Sequence, residues 1–515
     1  MARYGSEKIR GHGIPEAMEA ILIGQSRISL KVAVLKPISS AISIGTGGPF
    51  GAEGPIIMTG GALGSLFAQC FRMSAAERKT LLVAGASAGM TAVFATPVAA
   101  VLLAVELLLF EWKPRSFISV LAACVTAALE RGWLLPVGPI FAYPGAALAL
   151  TAPTLLACCA LGIACGLASG LLTTMVYAAE DAFATLPIHW AFWPALGGLV
   201  VGLGGLVEPR ALGVGYDNIR VLLAGGFGSG ETVRLLVVKA VIWAVALGSG
   251  TSGGVLAPLL IMGGAVGALA SLVLPGAAPG DWALIGMPAT MGGTMRAPLT
   301  ATMFAVELTG ATGMLLPLLA ASGAAYALTV LLLRRSILTE KVARRGHHIL
   351  REYHVDPFAL ARVADVMAEQ VEVLPASMTV AGMVAFFGAA PRHKAYPVVD
   401  NLGRPVVMAT RADALRLGRG DSGSAATLAQ ALAPDAGRPL VTAAPDEPLA
   451  ALVDRMVRDD VGRVPVTRPA DGVLIGLVAR KDLLRVRARW LAEEGERRSF
   501  APWRRRPAPM ADAAG

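Results

Sequence analysis

Apolar residues run with little interruption from about Ile14 to Leu333, and the runs are cut by glycine and proline rather than by charge. Stretches such as Pro153–Tyr177, Thr232–Leu247 with its flanks, and Thr312–Leu333 are long enough to cross the roughly 30 Å apolar core of a bilayer as helices. Others, such as Glu16–Ile23 and Leu81–Met90, are too short, which predicts half-helices that end inside the membrane. Such ends are tolerated only where the freed backbone lines a polar cavity. From about Pro357 the pattern changes, with frequent charges and apolar runs of four or five residues. There it predicts a helix at Val380–Phe387, strands at Ala395–Val399 and Pro405–Ala409, then a second round with Leu440–Thr442, a helix at Leu449–Arg458, and strands at Val464–Val466 and Leu474–Ala479. Two units of one β-α-β-β-α order imply a compact α/β pair.

The apolar region is written twice. The segment from Gly51 to Leu66 returns between Gly254 and Leu269, with Gly51, Pro55, Gly60, Gly61, Ala62, Gly64 and Leu66 repeated 203 positions on (51 to 254). Pro97–Leu107 returns as Pro298–Leu308, which pairs Glu106 with Glu307. Duplicated, glycine-broken apolar segments are the sequence form of membrane transporters with internal repeats. The copies differ at one telling place: Glu53 in the first stands where the second has Leu256.

Composition agrees with a polytopic membrane region bearing a water-soluble tail. Apolar residues make up 55% of the 515 and charged residues 16%, far below the charge of a soluble protein. The net charge of +9 sits in loops, membrane edges and the tail, so it does not imply a nucleic-acid partner. Cys70, Cys124, Cys158, Cys159 and Cys165 lie in apolar stretches and read as small packing residues. Arg334-Arg335, Lys341 and Arg344-Arg345 mark a cytoplasmic end by the positive-inside rule, and Arg72 through Lys79 suggest a second cytoplasmic loop. There is no metal-ligand cluster, P-loop or nucleophile constellation, which argues against an enzyme.

The chemistry gathers at the glycine-rich breaks. Pro55 and Pro258 each fit the first turn of a helix. Free N–H groups and the helix dipole suit such starts to anions, and two of them meeting at mid-membrane depth would hold an anion without a full positive charge. Gly11-His12-Gly13-Ile14-Pro15 is a third such start. A carboxylate at Glu53 is stabilised by the groups that would hold the anion, so it competes for the same seat. Lys36 has two readings: a stem that snorkels to the interface, or a cation that raises the potential of the pore. The symmetry of Glu106 and Glu307 points to a structural role, such as a hydrogen bond to a broken helix.

These motifs resemble the CLC family of chloride channels and proton-coupled chloride exchangers. Gly51-Ala-Glu-Gly-Pro55 is similar to the family's G-[KR]-E-G-P, Gly11–Pro15 to its G-S-G-I-P, Gly254-Val-Leu-Ala-Pro258 to its G-x-F-x-P, and Arg296–Thr300 through Glu307 to a late-helix signature. The tail resembles a pair of CBS domains. The resemblance implies an all-α membrane domain of inverted repeats with broken helices over residues 1–350, then a cytoplasmic α/β CBS pair at 357–430 and 431–490, with a disordered tail at 491–515. It also implies a homodimer in the plasma (inner) membrane with one pore per subunit. Glu53 becomes the gate. The anion-binding set becomes His12, Gly13, Ile14, Gly51, Gly54, Val255, Leu256 and Leu338, with Lys36 as the buried pore lysine. Thr410, Asp413 and Asp482 become the contacts of an adenine nucleotide at the CBS pair, with Ala479 in place of the second unit's hydroxyl; the alternative is a dimer-bracing tail without ligand, and no other cofactor is required.

Departures from the pattern shape the functional reading. His12 replaces the usual serine and Ala52 the usual basic residue; Leu256 stands for phenylalanine and Leu338 for a tyrosine. Leu107 follows Glu106 where the exchangers carry a second acid, and Glu111 one turn on is a poor substitute. This favours channel-like passage of chloride or a similar anion such as fluoride. The alternatives are proton/chloride exchange and a non-transporting subunit read through its tail. Only ten residues precede Gly11, where the family carries two membrane helices, so the expectation is that either the true start lies upstream or part of the first repeat is missing.

Overall fold

The computed structural model describes residues 5–497 except 7–8, 23–25, 72, 74, 110–113, 137, 146–147, 334, 345–357, 359–360, 390–392, 419–424 and 433–439. The chain divides into two units, residues 1–353 and 354–515.

Among the described residues, the first unit is built of helices. Its first half holds α1 (Ile14–Leu22), α2 (Leu30–Gly45), α3 (Glu53–Gln69), α4 (Ala75–Phe94), α5 (Pro97–Leu103, continued by a wider π turn, Ala104–Leu109) and α6 (Pro114–Leu134). Then come α7 (Ala152–Ala184), α8 (Trp193–Val207), α9 (Tyr216–Leu223), α10 (Ser229–Gly248), α11 (Leu256–Ala270), α12 (Pro279–Met295), α13 (Pro298–Thr309), α14 (Leu315–Leu332) and α15 (Ile337–Arg344). Among the described residues, four segments are long and apolar enough to cross a membrane: Pro114–Leu134, Ala152–Ala184, Trp190–Val207 and Thr312–Val342. The others include short apolar helices such as Leu256–Ala270. Two expectations change. Leu81–Met90 is no half-helix but the middle of the 20-residue α4. Arg78 and Lys79 lie inside that helix rather than in a loop, where they donate to the Met73 carbonyl at 2.7 Å and the Leu109 carbonyl at 3.0 Å; Arg72 lies outside the described residues. The α4 glycines Gly85 and Gly89 do not break the helix, because each sits against a neighbouring backbone.

That neighbour is α3, and the duplicated glycines explain the contact. A Cβ on Gly60 would collide with the Gly85 carbonyl oxygen, and one on Gly64 with that of Leu81. In the second half a Cβ on Gly263 would collide with the Gly286 carbonyl oxygen, and one on Gly267 with that of Trp282. Each copy of the glycine motif therefore lets its helix lie backbone to backbone on the next one, the close approach that membrane helices gain from small residues.

In the second unit, β1 (Leu374–Pro375) pairs parallel with β2 (Ala395–Val399), which pairs antiparallel with β3 (Pro405–Thr410). The helix Val380–Gly388 packs its buried Met383 and Phe387 on this sheet beside Tyr396 and Val398. The later round repeats the layout: Ala443 bridges in parallel to Val466, and β4 (Arg463–Thr467) pairs antiparallel with β5 (Leu474–Ala479) over the helix Leu449–Arg458. The expected disordered tail at 491–515 begins instead as the end of a helix, Arg480–Arg497; residues 498–515 lie outside the described residues.

Gly267→Val should destabilise the fold by about 3 kcal/mol or more, because the obstacle is backbone and cannot rotate away. Gly198, with open space where its Cβ would go, should accept alanine without loss. Thermal unfolding in detergent compares the two, and equal midpoints would remove the close-packing account.

Candidate functional site

The two copies of the motif meet. Gly51 and Gly254 form an antiparallel bridge, with the Gly51 N–H donating to the Gly254 carbonyl at 3.2 Å and the Gly254 N–H to that of Gly51 at 2.7 Å. Each glycine precedes a helix by two residues, so the starts of α3 and α11 face one another. Glu53 opens α3 and is 1% exposed. Its Oε1 accepts the N–H of Ala257 in the first turn of α11 at 3.0 Å, while its Oε2 is buried with no hydrogen-bond partner among the described residues. A Cβ on Gly51 or on Gly254 would strike this carboxylate. The acid of one repeat thus occupies the helix start of the other, on ground that only glycine leaves open.

The third start joins them. Gly11 and Gly13 have φ of +74° and +87°, a left-handed backbone that glycine adopts without a steric penalty. The His12 carbonyl lies so close to Gly54 that a Cβ there would collide with it, and a Cβ on Gly13 would come within 2.8 Å of the Gly54 carbonyl oxygen. His12, Gly13 and Ile14 are buried. Val255 and Leu256 are fully buried at the start of α11. Leu338 is fully buried on α15, which packs on α1. His12, Gly13, Gly51, Glu53, Gly54, Val255 and Leu256 are therefore gathered at one junction, with Ile14 opening α1 there, while Leu338 is placed only on α15 against α1.

Lys36 does not snorkel. It is buried on α2, and its Nζ donates to the carbonyls of Ile9 at 2.9 Å and Gly11 at 2.7 Å. Its ammonium holds the turn that aims the start of α1. The sequence reading missed its twin. Lys239, 203 positions later (36 to 239), is buried on α10, and its Nζ donates to the carbonyls of Ala211 at 2.9 Å and Gly213 at 2.8 Å. Gly213 and Gly215 have φ of +62° and +79° and lead into α9 as Gly11 and Gly13 lead into α1. The offset of the glycine motif, applied to Lys36, would have found Lys239. The Gly213-Val-Gly215 loop has no proline and no matching side chains, so it carried no signal of its own.

Glu106 and Glu307 close the arrangement crosswise. Glu307 accepts the N–H groups of Val98 at 3.0 Å and Ala99 at 2.8 Å, at the start of α5. Glu106 accepts those of Leu299 at 3.3 Å and Thr300 at 2.8 Å, at the start of α13, together with the Thr300 hydroxyl at 2.6 Å. Each acid satisfies orphan donors of the other half's helix. Leu107 beside Glu106 is fully buried, and Glu111 lies outside the described residues. No group of His, Cys, Asp and Glu among the described residues has the spacing of a metal site.

In the tail, Thr410 and Asp413 form a reciprocal cap on the helix Arg411–Leu417: the Asp413 N–H donates to Thr410 Oγ1 at 3.2 Å, and the Thr410 N–H to Asp413 Oδ2 at 3.1 Å. Asp482 Oδ2 accepts the Ala479 N–H at 2.9 Å.

Comparison with known proteins matches these features. The profile of the family described as "Voltage gated chloride channel" fits residues 1–330, and that of the CBS domain fits residues 436–489. A putative chloride channel protein ClcB-like of Ralstonia nicotianae is 30% identical over 68% of this chain and 83% of its own length. An H(+)/Cl(-) exchange transporter ClcA of Salmonella arizonae is 30% identical over 62% of this chain and 70% of its own length. Among solved structures, a slow cyanobacterial Cl-/H+ antiporter superposes with a TM-score of 0.61 at 24% identity, covering 67% of this chain and 83% of that one. A eukaryotic CLC transporter superposes at 0.55 and 20% identity, covering 93% and 86%. At these identities the superpositions establish the fold.

If Lys36 and Lys239 are twin staples, Lys36→Met and Lys239→Met should destabilise by similar amounts, about 2 kcal/mol each, from carbonyls left without a donor. Thermal unfolding in detergent measures both, and a neutral Lys239→Met beside a damaging Lys36→Met would break the equivalence.

Proposed function

This chain belongs to the voltage gated chloride channel family, the CLC family, and on that premise we propose that it carries chloride across the membrane in exchange for protons, with Glu53 as the gate. The observation that carries the reading is the Glu53 carboxylate on the Ala257 N–H. A chloride ion and a carboxylate are alternative occupants of a helix start. When an anion takes that position the carboxylate must leave, and a departing carboxylate in an apolar setting leaves most readily with a proton. Anion arrival and protonation of Glu53 are thereby linked.

The relatives named as H(+)/Cl(-) exchangers support exchange over the channel-like passage that Leu107 suggested. In the proposed site, the backbone of Gly13, Ile14, Gly51, Gly54, Val255 and Leu256 surrounds the anion, with His12 and Leu338 in the wall and Lys36 holding the α1 turn. The native anion is chloride in this reading; the fold is shared with an antiporter described as fluoride/proton, at a TM-score of 0.55. Two subunits pair through their apolar outer faces, each with its own pore. The basic residues Arg335, Lys341 and Arg344 at the last helix support a cytoplasmic tail in an inner-membrane protein. An adenine nucleotide at Thr410, Asp413 and Asp482 belongs to the same proposal, those groups being engaged as helix caps without it.

The full-length protein in liposomes tests the reading. A chloride gradient should drive proton movement in the wild type. Glu53→Gln and Glu53→Ala should abolish proton movement while chloride still passes, with the pH response of chloride flux flattened. Chloride flux without proton movement in the wild type would return the channel-like reading, and no anion flux at all would end the proposal.

A further inference from the structure

The helix Arg480–Arg497 follows β5 in the second unit, and its first turns have two unlike faces. On one, Asp482 is buried, and Leu483 and Val486 pack on the core that holds Val464 and Val478. The other carries Arg480, Lys481, Leu484, Arg485, Arg487 and Ala488, all exposed. Spacings of three and four residues join these into one stripe. It holds four cations and no acid. Arg480 reaches Asp460 at 2.9 Å, and Arg485 lies 3.5 Å from Asp482. Lys481 and Arg487 have no ion-pair partner among the described residues. Cations alone would make this an ordinary solvated face. Leu484 departs from that pattern: it is 68% exposed between Lys481 and Arg485, and apolar surface left in water is unfavourable.

We infer that this stripe is a docking face for the surface of an anionic phospholipid bilayer, with its cations at the headgroup phosphates and Leu484 below them. Basic residues clustered on a helix are drawn to anionic headgroups, and an apolar side chain on the same face adds its own burial at the acyl boundary. A free phosphate compound would match the cations and leave Leu484 in water, so the lipid surface fits the whole stripe. The second unit is joined covalently to a membrane region, so its encounter with a bilayer is intramolecular and needs little intrinsic affinity. The sequence continues in the same character with Arg489-Trp490 on the helix, and with Arg498, Trp503 and Arg504-Arg505-Arg506 after it. Tryptophan beside basic residues suits headgroup depth. The inference goes beyond the transport reading and takes from it only the leaflet, the cytoplasmic one.

Full-length protein held in phosphatidylcholine nanodiscs, mixed with sucrose-loaded vesicles, tests this by co-sedimentation. The vesicles are phosphatidylcholine alone or an equal mixture with phosphatidylglycerol. The protein should sediment with the mixed vesicles only, and added salt should release it. Lys481→Gln and Arg487→Gln, both exposed, should each weaken the association about fivefold, the equivalent of about 1 kcal/mol per cation at an anionic surface. Leu484→Gln should weaken it with every charge kept, a loss that a purely electrostatic face would not show. Equal sedimentation with both kinds of vesicle, or wild-type association in all three variants, would overturn the docking face. Release by inorganic phosphate at constant ionic strength would overturn it too, because a free phosphate compound would then be the occupant. None of these results bears on the transport reading, which flux measurements decide.

Discussion

Every helix that stops inside a bilayer leaves backbone N–H and C=O groups that water cannot reach, and the rest of this structure follows from how those groups are satisfied. The answer is reciprocal. Gly51 and Gly254 exchange two backbone hydrogen bonds. Glu307 covers the start of α5, and Glu106 covers the start of α13. Lys36 and Lys239 take up the carbonyls of the two glycine turns. Duplication supplies each half with what the other lacks, and the glycines let the backbones come near enough to use it.

Against that symmetry, function resides in what the copies do not share. Leu256 stands opposite Glu53 in the repeat, and a carboxylate appears on one side of the junction only. Two acids facing each other across the Gly51–Gly254 bridge would repel. With one acid, the donors at the start of α11 serve the protein's own carboxylate, and it is these donors that the proposed transport offers to a visiting ion. A scaffold that is nearly two-fold thus carries its junction carboxylate on one side only.

Much of this was legible from the residues because glycine and proline announce backbone requirements directly. The Gly51–Pro55 and Gly254–Pro258 motifs, the Glu106 and Glu307 pair and the strands at Ala395–Val399 and Leu474–Ala479 lie where their spacing put them. What escaped were contacts settled by packing. The α4 helix looked broken because its glycines resemble interruptions until α3 is laid against them. Lys36 had two readings because a lone lysine does not declare its partners, and here they are main-chain carbonyls. Gly213-Val-Gly215 was invisible for the same reason: its role is carried by φ angles and by Lys239, not by a recognisable side chain.

The crossed glutamates have a consequence for how the chain is made. While the first half leaves the ribosome, the opening amides of α5 have no acceptor, because that acceptor is Glu307, more than two hundred residues further along. Glu106, already inserted, waits equally long for Thr300. Neither half satisfies these helix starts alone, so the early helices need shelter until the second half of the membrane region has been made, and completion of the junction is tied to translation of almost the whole membrane region.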